Sequence, residues 1–390
     1  MDFNGIKALD KKYIANTYNR FDRLFTSGKG SELYDEKGKR YIDLSAGIAV
    51  NTFGTADPLW LEAVTKQLSS LSHISNLYYT EPQAILAKKL CERTQMKKVF
   101  FSNSGAEANE CAIKAARKYS HDKYGEGRNT IITLKDSFHG RTITTLSATG
   151  QEVFHKDFYP FTEGFIYSDP EDIQGIRKLM EDHKACAVMM ELIQGEGGVR
   201  VLSKDFVQEV ASFAKEKDIL VIVDEVQTGN GRTGELYSYM NYDIAPDIIS
   251  TAKGLAGGLP FGATLFGEKT EAVLSSGSHG STFGGNPVSA AGAISIIDRL
   301  TDTFLDEVVS KGEFIKKELA SVPGVVAVTG MGLMLGIETV RPAKEIVERA
   351  LEEGLVVITA KNKVRLLPPL NISMELLQEA IEILKGVIEV

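Results

Sequence analysis

The side chains best placed for chemistry are an aspartate and a lysine that each follow a short apolar run. Ile219-Leu220-Val221-Ile222-Val223 is a continuous aliphatic stretch, the pattern of a strand buried on both faces of a parallel sheet, and Asp224 and Glu225 stand at its carboxyl end. In open α/β sheets ligands gather beyond the carboxyl ends of strands, so an acid there has a ligand to meet. Ile248-Ile249 then leads to Thr251-Ala252-Lys253 and a loop holding Gly254, Gly257 and Gly258. Glycines allow close backbone approach, and a lysine amine is a nucleophile toward carbonyl carbon. An anion at one strand end and an amine at the next fit a ligand with a cationic ring nitrogen and a carbonyl carbon. Taken alone, a lone lysine is ordinarily a solvated one, and company decides between the readings.

That company lies in three glycine-rich segments. Lys98 to Phe101 reads as a strand ending at Ser102-Asn103-Ser104-Gly105-Ala106, and a helix is expected from Glu107 through Ala116. Ser104 suits an N-cap, and free N–H donors at a helix start attract a phosphate, although the same residues would serve as a plain cap. The strand Thr130–Leu134 precedes Ser137-Phe138-His139-Gly140-Arg141-Thr142. A buried run from Ala185 to Ile193 carries Glu191 and precedes Gln194-Gly195-Glu196-Gly197-Gly198. His139 and His279 lack partners at metal-ligand spacing and are read as loop-structural. Gly229-Asn230-Gly231-Arg232-Thr233-Gly234 has the spacing of a dinucleotide loop, but no helix is expected after it and an acid-tipped strand precedes it.

The elements that must position these groups follow a strand, helix, strand rhythm, which predicts a largely parallel sheet with helices on both faces. Helices are expected at Pro58 to Leu71, with Leu59, Ala63, Val64, Leu68 and Leu71 as a core-facing stripe, at Pro82 to Thr94, at Val207 to Lys217 and at Val288 to Leu300. Leu33 to Asp43 reads as a hairpin turning at Asp35 to Gly38. Residues 301–390 read as a compact α/β unit. The loop from Ser276 to Pro287 is dense in small residues, which marks a tight turn. With 52 acidic against 44 basic residues the net charge is −8, which argues against nucleic acid as the main partner. Cys91, Cys111 and Cys186 are too few and scattered for a disulfide framework, and no apolar run approaches a membrane span or a signal-peptide core, so a cytoplasmic protein is expected.

These motifs together resemble the class III, fold-type I pyridoxal-phosphate aminotransferases, in the acetylornithine/ornithine branch, over nearly the whole chain. The resemblance implies a large domain with a mostly parallel seven-stranded sheet over 46–287. A small α/β domain would be built from both termini, 1–45 and 288–390, and two copies would share their active sites. It implies Lys253 as the covalent partner of the cofactor and proton carrier, and Asp224 at the ring nitrogen. Ser104, Gly105 and Ala106 would meet the phosphate, together with Thr282 from the second copy. Phe138 would stack on the ring and Gln227 touch its hydroxyl. Arg141 would hold the carboxylate far from the reacting amine and Arg365 the α-carboxylate of glutamate, with Glu196 masking Arg365 when a δ-amine reacts. Asn76 and Ser281 would also touch substrate. The implied reaction moves the δ-amino group of N2-acetylornithine to 2-oxoglutarate. Ornithine, succinylornithine, succinyldiaminopimelate and 4-aminobutyrate are alternative donors, and a non-catalytic protein of the same fold is the remote alternative. Two departures stand out: Gly54-Thr55-Ala56-Asp57-Pro58 replaces a Gly-His-x-His-Pro turn, and Leu192 replaces a proline after Glu191.

Overall fold

The computed structural model describes residues 1–389. Its centre is a seven-stranded sheet in the spatial order Lys98–Ser102, Gly262–Phe266, Ile248–Thr251, Leu220–Asp224, Ala185–Met190, Thr130–Leu134, Phe165–Ser168. Gly262–Phe266 runs antiparallel to both neighbours, and the remaining pairings are parallel. All five residues of Leu220–Asp224 and all six of Ala185–Met190 are buried, as unbroken apolar runs in a doubly covered sheet require. The expected strand from Ala185 to Ile193 breaks at Glu191, and Ile193–Gln194 pairs instead with Arg200–Val201 as a separate hairpin.

Both termini join in a second sheet, where Phe25–Lys29, Glu32–Asp35 and Arg40–Asp43 form a meander and Leu355–Val356 pairs parallel to Arg40–Asp43. A third sheet holds Val325–Met331, Met334–Thr339, Lys363–Leu366 and Ile358–Ala360. Helices Phe3–Tyr13, Ile173–Asp182 and Met374–Glu389 form where no helix was expected.

One expectation holds only in part: Ala63 and Val64 of the stripe are half-buried, but its leucines are exposed. The helix Pro58–Ser70 forms, with Asp57 accepting from Trp60 N as its cap, but it buries none of its residues, and Leu59 and Leu68 are 55% and 57% exposed. It packs along the helix Pro287–Ile297, with Trp60 and Val64 against Gly292, and the Trp60 indole Nε1 donates to Ala256 O at 2.9 Å. Trp60, Ala63, Val64 and Gln67, spaced three to four residues apart, form the half-buried side, and Leu59, Leu68 and Leu71 face away from it. No helix among the described residues is long and apolar enough to cross a membrane.

Candidate active site

A cavity of about 480 Å³ opens at the carboxyl ends of the central strands, and its lining includes Ser104, Gly105, Ala106, Phe138, Arg141, Glu196, Asp224, Gln227 and Lys253. The parallel register sets Asp224 beside Ser250, one residue before Thr251 ends the next strand, so the chain delivers Lys253 into the same hollow. Lys253 has φ +43°, a left-handed conformation sparsely populated outside glycine, and it makes no ion pair among the described residues. Burial pulls its ammonium below the ordinary lysine value; Glu196 opposes that shift and Arg365 adds to it. An amine so placed is available as a nucleophile and as a proton carrier.

Asp224 is 3% exposed and is fixed from three sides. Its Oδ2 accepts from Asn109 Nδ2 at 2.7 Å and from His139 Nδ1 at 2.8 Å, and its Oδ1 accepts from Val226 N at 3.0 Å. A carboxylate partner puts the imidazole hydrogen on Nδ1. Loop-structural is therefore too weak a description of His139, which orients the acid. Asn109, inside the alanine-rich helix Gly105–Tyr124, was not anticipated as a site residue at all. The adjacent Glu225 turns into the core, where Thr228, Ser238 and the N–H of Tyr239 hold it.

At the other wall the helix Gly105–Tyr124 begins under an N-cap by Ser104, whose Oγ accepts from Glu107 N at 3.2 Å. The first N–H groups of a helix have no partner inside it, and here they belong to Gly105 and Ala106 on the cavity wall. A Cβ at position 105 would stand 2.7 Å from Val226 Cγ1, so the glycine keeps the loop against the strand. Across the cavity Arg365, on the strand Lys363–Leu366 and buried, donates from Nη1 to Glu196 Oε1 at 2.7 Å and to Gln227 Oε1 at 3.0 Å. Burial pushes the Glu196 carboxyl up, but the Arg365 guanidinium outweighs it and leaves the acid below its ordinary value. Arg141 is exposed at the lip, its guanidinium 3.9 Å from the Phe154 ring centroid and 5.5 Å from that of Phe138.

The loop that carries Glu196 is held by the third sheet. Thr329 Oγ1 donates to Val199 O at 3.0 Å, and Val199, itself at φ +50°, packs where a side chain at Gly336 would collide. Nearby, Ala46, Gly47, Ile48 and Ala49 form a consecutive left-handed turn, and Thr52 Oγ1 ties its far end to Gly254 O at 2.7 Å. Strained backbone of this kind persists only where its surroundings over-determine it. Thr282, Ser281 and Asn76 lie apart from this cavity. Thr282 is exposed, while Asn76 Nδ2 donates to the carbonyls of Ser281 and Gly284, and Asn103 Nδ2 donates to Ser281 Oγ. The glycine-rich run Gly229–Gly234 is a series of turns followed only by a short 3-10 helix, Ser238–Tyr242, and no group of three or more potential metal ligands occurs among the described residues.

With this geometry in place, comparison with known proteins defines the class. The family model for class-III aminotransferases matches residues 13–388, and the chain belongs to that family. An acetylornithine aminotransferase of Haemophilus ducreyi is 50% identical over 390 residues, covering 100% of this chain and 99% of that protein. Another, of Aquifex aeolicus, is 46% identical over 96% of this chain and 100% of its own length. Among solved structures, the ornithine aminotransferase of Toxoplasma gondii superposes with a TM-score of 0.95 at 29% identity, covering 100% of this chain and 95% of that one. The acetylornithine aminotransferase of Elizabethkingia anophelis does so with 0.89 at 29% identity, covering 100% and 99%. The cofactor is pyridoxal phosphate. The site suits it: a helix start for a dianion, a fixed carboxylate for a ring nitrogen, and an unpaired amine. Asn109 Oδ1, His139 Nε2 and Arg365 Nε also remain buried without a partner among the described residues.

Proposed function

We propose that this aminotransferase moves the δ-amino group of N2-acetylornithine to 2-oxoglutarate, giving N-acetylglutamate 5-semialdehyde and glutamate. The observation that carries the reading is the ion pair of buried Arg365 with half-buried Glu196, 2.7 Å apart at the cavity wall. A guanidinium grips the α-carboxylate of glutamate in two-point fashion. A donor reacting through its δ-amine brings no carboxylate to that spot, and Glu196 then neutralises the arginine. A movable ion pair lets one cavity accept two substrate shapes. Arg141 at the lip takes the distal carboxylate of either substrate.

Pyridoxal phosphate, when bound, supplies an aldehyde for an amine to attack and a ring that draws electrons from the reacting carbon. Ser104, Gly105 and Ala106 would hold its phosphate, Asp224 its ring nitrogen, Phe138 its face and Gln227 its hydroxyl. The Lys253 amine would carry the proton that leaves the substrate carbon bearing the amino group. Asp224 stays oriented because Asn109 and His139 both donate to it. Completion of the site by Thr282 of a second copy, together with Asn76 and Ser281 at the same edge, belongs to this proposal. So do the division into 46–287 against 1–45 with 288–390 and a cytosolic location, the last supported by three unpaired cysteines.

The test is Glu196→Gln followed by single-turnover absorbance of the cofactor with each substrate. The half-reaction with N2-acetylornithine is expected to slow about tenfold or more, because Arg365 is left as an uncompensated buried charge. The glutamate half is expected to stay within about threefold. Equal losses contradict the masking role.

A further inference from the structure

Glu191 lies in the wall of the same cavity and has no part in the steps above. It follows the strand Ala185–Met190, is 5% exposed, and forms no ion pair among the described residues. Its Oε1 accepts from Phe138 N at 2.8 Å and its Oε2 from Gly195 N at 3.3 Å. Those donors sit on two loops far apart in sequence. One carries Phe138 and Arg141; the other carries Glu196 directly after Gly195. A single buried carboxyl thus ties the loop that would face the cofactor ring to the loop that masks Arg365.

We propose that Glu191 is a positioning residue that couples these two loops, so that the aromatic face at Phe138 and the Glu196–Arg365 gate are set together. The inference deepens the amino-transfer reading and rests on it for its kinetic consequence. A carboxylate offers acceptors on both oxygens, whereas a neutral acid converts one oxygen into a donor and surrenders one backbone N–H. The ionised form is therefore the one that holds both loops. The charged and titratable groups around this cavity are His139 and Arg141 on the Phe138 loop, Asp224 and Lys253 at the strand ends, Glu196 on the second loop, and Arg365. Burial raises the Glu191 carboxyl, His139 opposes the rise and Asp224 adds to it, bringing it to about 7. Both tethers consequently strengthen as pH climbs through neutrality.

The experiment compares wild-type holoenzyme with Glu191→Gln, whose amide can accept only one of the two N–H groups. In the wild type, the single-turnover rate with N2-acetylornithine divided by that with glutamate is expected to rise between pH 6 and pH 8. In E191Q the acetylornithine half is expected to fall about tenfold, the glutamate half less than about threefold, and the ratio to lose its pH dependence. Glu191→Asp, which keeps the acid on a shorter arm, is expected to retain the pH dependence. Hydrogen exchange on the cofactor-free protein gives a readout free of turnover: the Phe138 or the Gly195 amide is expected to exchange about tenfold faster in E191Q, and both in Glu191→Ala. Equal loss in both halves, a wild-type pH dependence in E191Q, or unchanged exchange at both amides would overturn the proposal. If E191Q does not fold, E191D and its exchange at the same two amides decide. A wild type inert toward N2-acetylornithine counts against the donor assignment instead, and the exchange result then judges the coupling on its own.

Discussion

Asp224 accepts hydrogen bonds from Asn109, His139 and the N–H of Val226, whereas Lys253 on the neighbouring loop makes no ion pair among the described residues. That contrast separates a fixed anchor from a mobile amine. Lys253→Ala is expected to lower transamination by about 10³-fold or more, the scale of a lost proton-transfer group, with the far-UV spectrum and melting temperature little changed because the amine stabilises no partner. Retained activity in K253A would remove the lysine from the mechanism. Asp224 and Lys253 were legible in the sequence because each stands just beyond an apolar run, where an acid or an amine has no packing reason to be, whereas Glu196 and Arg365, the latter inside the strand Lys363–Leu366, were expected only from the family resemblance. Asn109 and His139 were legible by neither route. Asn109 is embedded among Ala108, Ala112, Ala115 and Ala116, a stripe that reads as core, and its bond to Asp224 spans 115 positions. The only local sign was a polar residue inside that stripe.

The helix Pro58–Ser70 shows how an element can be found correctly while only Ala63 and Val64 of its expected stripe turn inward. Proline at its first turn and Asp57 as its cap make its existence legible, and leucine spacing alone cannot say what the stripe covers. The leucines stay exposed, as do Ile74, Leu77, Tyr78 and Tyr79 after the helix and Phe283 beside Thr282. An apolar patch of that extent marks an interaction surface, and a second copy of the chain is the occupant that would also bring Thr282 toward a cavity. Leu68→Glu combined with Leu59→Glu is expected to shift the protein from dimer to monomer in sedimentation velocity and to weaken cofactor retention. A wild type sedimenting as a monomer at micromolar concentration contradicts the shared site. The break at Glu191 was equally illegible, since Ala185 to Ile193 is apolar but for that acid, and only the hairpin of Ile193–Gln194 with Arg200–Val201 ends the strand.

Across the whole molecule, the seven-stranded sheet could be expected from the alternation of apolar runs with helices, while the joining of the two termini could not be read from local pattern. Ile42 and Asp43 pair with Leu355 and Val356, with no local signal for a partner so distant in sequence. The consequence is functional, because Arg365 comes from the C-terminal segment and bonds to Glu196 and Gln227, which line the cavity together with Asp224 and Lys253. Under the proposed reaction, Arg141 at the lip would fix one carboxylate, and the masked or unmasked Arg365 would decide whether a second is wanted. The most direct test is kcat/KM for N2-acetylornithine, ornithine and 4-aminobutyrate, each with 2-oxoglutarate, on one preparation of the holoenzyme. N2-acetylornithine is expected to exceed each of the others by about tenfold or more, the discrimination a few well-placed polar contacts supply. Parity among the three, or a preference for either of the other donors, would contradict the account.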